Sequence, residues 1–344
     1  MADGGRDLLY ALRNNFHLGA YQAALGEAQD LQHDDLGGAE TVERDVFMYR
    51  AYIELGQPEV CLTEVTDDSE LALQACKLLA LVRSDPGKKE EVVAQVTEWL
   101  SDPAYSSNLI LCELCGEIYM ATESYEEVSE EKDNNTRAPT PPPRHDHPLH
   151  LLSLRPDLTA PPASRVSLSF HGPHLLAQAL KCCSSAGSLE LLALAIQVAL
   201  QIERPDVAKK MLDLMQQKDD DAPLTQLANA WVDISLGGDH IQEAQYIFQE
   251  LGDRFNWTPK LLNGSAICNM TMGNFAKAEK EVLEALSKDP KNADTLANAI
   301  TASLHLNKPT ERYVTQLRGA DPNHPVVRKL DALEEKFDKA AAAF

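Results

Sequence analysis

The chain has 344 residues, with 31 Lys and Arg against 53 Asp and Glu, and a formal net charge of -22. A surface this acidic repels phosphate backbones and anionic lipid, which excludes direct nucleic-acid or membrane-surface binding. Hydrophobic residues make up 44% and aromatics only 6%, with Ala and Leu prominent, a mix that favours close-packed helices over sheets.

Met1–Leu9 lacks a basic stretch followed by an apolar run, so it does not read as a signal peptide, and the seven cysteines are expected as thiols of a reducing compartment. Gly19 then marks a turn, followed by Ala24 and Ala28. Tyr49 and Tyr52 precede a turn at Gly56, with Cys61 and Val65 beyond it. Residues 70–100 have helical periodicity without the alanines, which predicts an irregular hairpin. A helix follows over Leu109–Tyr119. Leu189–Leu200, the longest apolar run, is interrupted by Gln197 and falls short of the ~20 residues of a membrane span, so it reads as a buried helix. Ile196 and Ala199 precede a turn at Arg204-Pro205, then Ala208 and Leu212. Val232 precedes Gly237-Gly238, then Ala244 and Phe248. The clearest unit runs from Pro259 to Pro290, with Leu262, Ala266 and Asn269 before the Gly273-Asn274 turn and Ala278, Val282 and Ala285 after it. A last hairpin occupies 294–318, turning at Asn307-Lys308-Pro309, and 321–344 reads as a terminal helix.

The spacing is that of a tetratricopeptide repeat. Small residues let two helices approach closely, an alanine late in the second helix admits the next pair, and proline stops the helix. One match is weak, but several in series predict an all-α, right-handed superhelical solenoid of tetratricopeptide-like hairpins, each burying its apolar face on its neighbours. The units are 1–127, an insert at 128–178, 179–320 and the terminal helix 321–344.

The insert departs from every rule of the rest. It carries nine prolines, among them Pro141-Pro142-Pro143, and no sustained helical period, a composition expected of disorder. It interrupts a second helix in its first turn: after Tyr125-Glu126-Glu127 the repeat needs Ala, the chain gives Val128, and Ala179 takes that place once 128–178 is excised. Insertions normally fall in exposed turns. Val128-Ser129 can be encoded by GTGAGT, a splice-donor sequence, and Gln178 by CAG, an acceptor end, so the segment reads as a translated retained intron, with a lineage-specific disordered loop as the alternative.

No catalytic, cofactor or metal site is expected. Cys112 and Cys115 share the buried stripe of one helix and read as core thiols, with only the adjacent Cys182-Cys183 as a later pair. His145, His147 and His150 lie in the insert without a fixed second shell. No glycine-rich phosphate loop precedes a helix, and no motif presents a nucleophile.

The repeat assigns positions 2, 5, 9 and 12 of each first helix to the concave face. Candidate partner-binding residues are therefore Val46, Arg50 and Ile53 (with Glu43) from one hairpin, Asn229 and Asp233 from another, and Asn263, Ile267 and Met270 from a third. The asparagine amides could bond a partner's backbone, and apolar members exposed along a groove would mark a protein interface. A co-chaperone adaptor that captures short acidic C-terminal peptides is the alternative. It needs Lys and Arg along this face, whereas only Arg13 fits in the first hairpin and Glu43 stands beside Arg50 in the next.

The chain also resembles the coatomer epsilon-subunit family. The likeness rests on Asn15-Phe16-His17-Leu18-Gly19-Ala20-Tyr21-Gln22, on Val42-Glu43-Arg44-Asp45-Val46-Phe47-Met48-Tyr49-Arg50-Ala51-Tyr52, and on Leu224-Thr225-Gln226-Leu227-Ala228-Asn229-Ala230-Trp231-Val232 with Tyr246-Ile247-Phe248. The resemblance implies a non-enzymatic, peripheral subunit of the COPI coat that curls around the C-terminal domain of the coatomer alpha subunit. It further implies a place on the cytosolic face of Golgi membranes and a part in Golgi-to-endoplasmic-reticulum and intra-Golgi transport.

Overall fold

A computed structural model describes residues 7–31, 36–102, 105, 108–123 and 187–342. These form α-helices joined mostly by short turns: α1 (Tyr10–His17) and α2 (Tyr21–Asp30), α3 (Gly38–Glu54) and α4 (Pro58–Glu64), α5 (Leu71–Ser84) and α6 (Lys89–Ser101), and α7 (Leu109–Glu123). They continue with α8 (Leu189–Gln201) and α9 (Pro205–Asp219), α10 (Pro223–Leu236) and α11 (His240–Phe255), α12 (Pro259–Thr271) and α13 (Phe275–Lys288), α14 (Ala293–His305) and α15 (Glu311–Ala320), and α16 (Pro325–Ala341). No strand occurs among the described residues. The fold is an all-α solenoid of tetratricopeptide-like hairpins. The expectations for 128–178, its histidines and Cys182-Cys183 lie outside the described residues.

Local chemistry sets the ends of the helices. Proline opens α9, α10, α12 and α16, where a missing N–H costs nothing. Ser188, Thr258 and Asn292 accept hydrogen bonds from backbone N–H groups three residues on, starting α8, α12 and α14. Gly19 and Gly273 turn their hairpins at φ +81°, a conformation that L side chains resist. Ala208, Ala244 and Ala278 are fully buried, as close approach of two helices demands. Residues 70–100 do form a hairpin. A 3-10 turn at Pro86–Lys88 joins α5 to α6, and buried Val92 and Val96 pack where alanines are lacking.

The apolar core is segmented as a solenoid requires. One cluster runs through α8 to α14, a second joins α3–α7 to α8, a third holds α1 and α2 on α3, and a fourth seats α16 on α14 and α15. Thus α8 belongs to both large clusters and welds the two halves, packing directly on α7. Cys112 and Cys115 are buried on α7 within the second cluster. Among the described residues no group of His, Cys, Asp and Glu could hold a metal ion, and no helix is long and apolar enough to cross a membrane.

Candidate partner-binding interior

First helices face inward in a tetratricopeptide array, and here α1, α3, α5, α7, α8, α10 and α12 all contribute to the wall of one cavity of ≈ 90 Å³. That volume admits a few waters, and the cavity is partly open to solvent. Its wall is charged. Arg50, 5% exposed, donates from Nη1 to Glu113 Oε1 at 2.8 Å and from Nη2 to Glu117. Its guanidinium also lies over the rings of Phe16 and Phe47, 4.6 and 5.2 Å from their centroids, adding cation–π attraction. Burial would lower the Arg50 pKa, but Glu117 and Glu113 outweigh it and the guanidinium stays charged. Burial pushes the Glu113 carboxyl above the usual carboxylate range against the pull of Arg50.

The array also closes on itself. The extensive helix contacts among the described residues join hairpins adjacent in the series, with one exception: α1 packs on α10. The Thr258 hydroxyl at the start of α12 donates to the Leu18 carbonyl at 2.6 Å, across 240 residues of chain. Leu18 is buried in the cluster formed by α8 to α14. His17 Nε2 stands 3.8 Å from Glu190 Oε1 on α8, beyond hydrogen-bond reach. A Cβ on Gly19 would lie 2.9 Å from the Lys260 Cβ, so the turn itself touches α12.

This closure corrects the picture of apolar residues left open along a groove. Val46 and Ile53 are buried in the cluster of α3–α8, and Ile267 and Met270 in that of α8–α14, because the first helices of neighbouring hairpins pack on one another. Asn263 is buried too, donating to Thr295 Oγ1 at 2.7 Å and accepting from Asn298 Nδ2 at 3.0 Å, which makes a polar rung between α12 and α14. Asp233 faces His240 at 3.2 Å, and Asn229 is half-buried. Of these residues only Arg50 lines the cavity. Sequence reasoning missed His17, Glu113, Glu117, Glu190 and Lys260. The legible signal was Glu113 and Glu117, four residues apart on an otherwise apolar helix, opposite an arginine in the stripe Val46–Arg50–Ile53.

The family model described as "Coatomer epsilon subunit" matches residues 5–134 and 170–344. It leaves 135–169 unmatched, a stretch inside 128–178. "Coatomer subunit epsilon-1" of Arabidopsis thaliana is 36% identical over 342 residues, covering 99% of this chain and 98% of that protein. "Coatomer subunit epsilon-1" of Oryza sativa subsp. japonica is 38% identical over 337 residues, with 98% of each chain covered. "Coatomer subunit epsilon" of Dictyostelium discoideum is 28% identical over 347 residues, covering 98% and 99%. Among solved structures, a tetratricopeptide repeat protein from Parabacteroides merdae aligns at a TM-score of 0.48 and 13% identity over 91% of both chains.

Proposed function

Because this chain belongs to the coatomer epsilon subunit family and is thereby a component of the COPI coat, we propose that it wraps and stabilises the C-terminal domain of the coatomer alpha subunit. Through that subunit it joins the rest of the coat, on the cytosolic face of Golgi membranes and of COPI vesicles. There it supports Golgi-to-endoplasmic-reticulum and intra-Golgi transport.

The observation that carries this reading is the ion-paired inner wall. Hairpins stack through apolar faces and small residues, and that stacking does not require Arg50, Glu113, Glu117 and Glu190 to converge on one cavity. Buried charge adds little net stability, and its best-attested use is to specify one arrangement of partners. Arg50 and its neighbours are accordingly the proposed contact region, in preference to Val46, Ile53, Ile267 and Met270.

The test is co-expression of this chain with the C-terminal domain of the alpha subunit, followed by gel filtration. A stoichiometric complex is expected. A chain that elutes alone, or that retains a heat-shock chaperone in place of other coat proteins, overturns the proposal.

A further inference from the structure

We propose that the inner cavity is a socket for one cationic side chain, arginine or lysine, of the alpha subunit's C-terminal domain, with Glu190 and Glu117 as the receiving carboxylates. The inference rests on the reading of the chain as a holder of that subunit and names the chemistry of the hold.

The wall carries a surplus of negative charge. Among the described residues three permanent cations line the cavity, Arg50, Arg83 and Lys260, against four carboxylates, Glu54, Glu113, Glu117 and Glu190. The pairing is also uneven. Arg83 stands 3.6 Å from Glu54, and the single guanidinium of Arg50 is divided between Glu113 and Glu117. Glu190, in the first turn of α8, has no Lys or Arg within ion-pair distance among the described residues. Its neighbour is His17, 3.8 Å away, which burial holds below its ordinary pKa and so keeps neutral at pH 7. Arg13 acts on Glu190 from farther off but is already bonded to Glu43 at 2.6 Å and Asp7 at 2.8 Å. Glu113 registers the excess: burial pushes its carboxyl up, Arg50 resists, and Glu117 and Glu190 reinforce the rise. Carboxylates taken out of water need a counter-cation, and this wall is one short.

A second observation, independent of the carboxylates, points to the same spot. His17 lies at the seam where the first hairpin closes on the later helices. It is 9% exposed, it lines the cavity, and its Nε2 has no hydrogen-bond partner. Folded proteins rarely leave such a group unpaired, because it loses its bonds to water and gains none. With its proton on Nδ1, the ring accepts an N–H at Nε2. A cation seated between His17 and Glu190 satisfies both, and Glu117, 27% exposed at its side chain, takes a further N–H. The cavity, ≈ 90 Å³ and partly open to solvent, has room for the head group of one side chain entering through its mouth. A neutral side chain would leave Glu190 unpaired and an acidic one would be repelled, so the wall selects by charge as well as size. The same surplus turns away the acidic peptides that a co-chaperone adaptor captures.

The test is a double-mutant cycle between the full chain and the C-terminal domain of the alpha subunit. Glu190→Gln keeps the shape of the side chain and removes its charge, and it should weaken binding at least about tenfold. In a scan of that domain's lysines and arginines to Met, one substitution should weaken binding to the wild-type chain by a similar factor. Against Glu190→Gln the same substitution should cost less than about twofold more, because the two charges act as one unit. Wild-type affinity in Glu190→Gln, or a scan with no residue coupled to it, overturns the inference. Should Glu190→Gln fail to fold, the scan against the wild-type chain decides, and a scan in which no lysine or arginine costs tenfold overturns the inference. Failure of the wild-type chain to bind the domain at all would instead defeat the proposed function.

Discussion

Arg50 and Glu113 form a buried ion pair at 2.8 Å that ties α3 to α7. Glu117 holds the other guanidinium arm, so removing the arginine strands two carboxylates. Arg50→Met should destabilise the fold by roughly 3–5 kcal/mol. Adding Glu113→Gln should recover part of that loss, since the two residues act as one unit. Urea midpoints of the single and double variants measure the coupling, and strictly additive losses would contradict it.

Gly264 lies where α12 presses on α11. A Cβ there would sit 2.5 Å from the Phe248 ring. Gly264→Ala should therefore lower stability by about 1–3 kcal/mol, although alanine is the better helix former. Ala208→Leu, Ala244→Leu and Ala278→Leu should each cost a similar amount of about 1–3 kcal/mol. Thermal melts report all four, and unchanged melting in the three alanine variants would show that the repeat register is misplaced.

Acid should loosen the seam. Burial lowers the His17 pKa, with Arg50 and Lys260 acting the same way and Glu190 opposing. The folded chain thus keeps His17 neutral where the unfolded chain, near its ordinary value of about 6.5, takes up a proton. Stability from this residue is complete above that value and is lost as pH falls toward the depressed folded value. Amide protection in α1, corrected for the intrinsic pH dependence of exchange, should fall between pH 7.5 and 5.5, and His17→Gln should flatten the trend. A wild-type profile as flat as that of the variant would contradict the assignment.

A chain in which Glu127 joins Ala179 should melt above the full-length protein, because it restores an alanine to the place the repeat requires. The family model leaves 135–169 unmatched but matches 128–134 and 170–178. Equal melting temperatures would count against the insert being foreign to the fold. Transcripts that carry only the long form would rule out its origin as a retained intron.

The hairpins were legible because their signals are local. Gly19, Gly56 and Gly273 sit at positive φ where the sequence placed turns, and Ala208, Ala244 and Ala278 are buried where it placed close contacts. Residues 70–100 were harder, since Val92 and Val96 do the work of alanines there and Pro86 begins a 3-10 turn. The interior was not legible. Whether Val46, Ile53, Ile267 and Met270 face solvent depends on how tightly the superhelix winds, a sum of small rotations over many hairpins that no single repeat encodes. The meeting of Leu18 with Thr258 is likewise a property of the whole series.

That meeting also has a timetable. Leu18 leaves the ribosome 240 residues ahead of Thr258. At the usual pace of synthesis this is an interval of about 12–50 s. Throughout it, the first hairpin waits beside its ribosome with the opposite wall not yet made, so a coat partner arriving in that interval meets the nascent chain before the ring has ever shut.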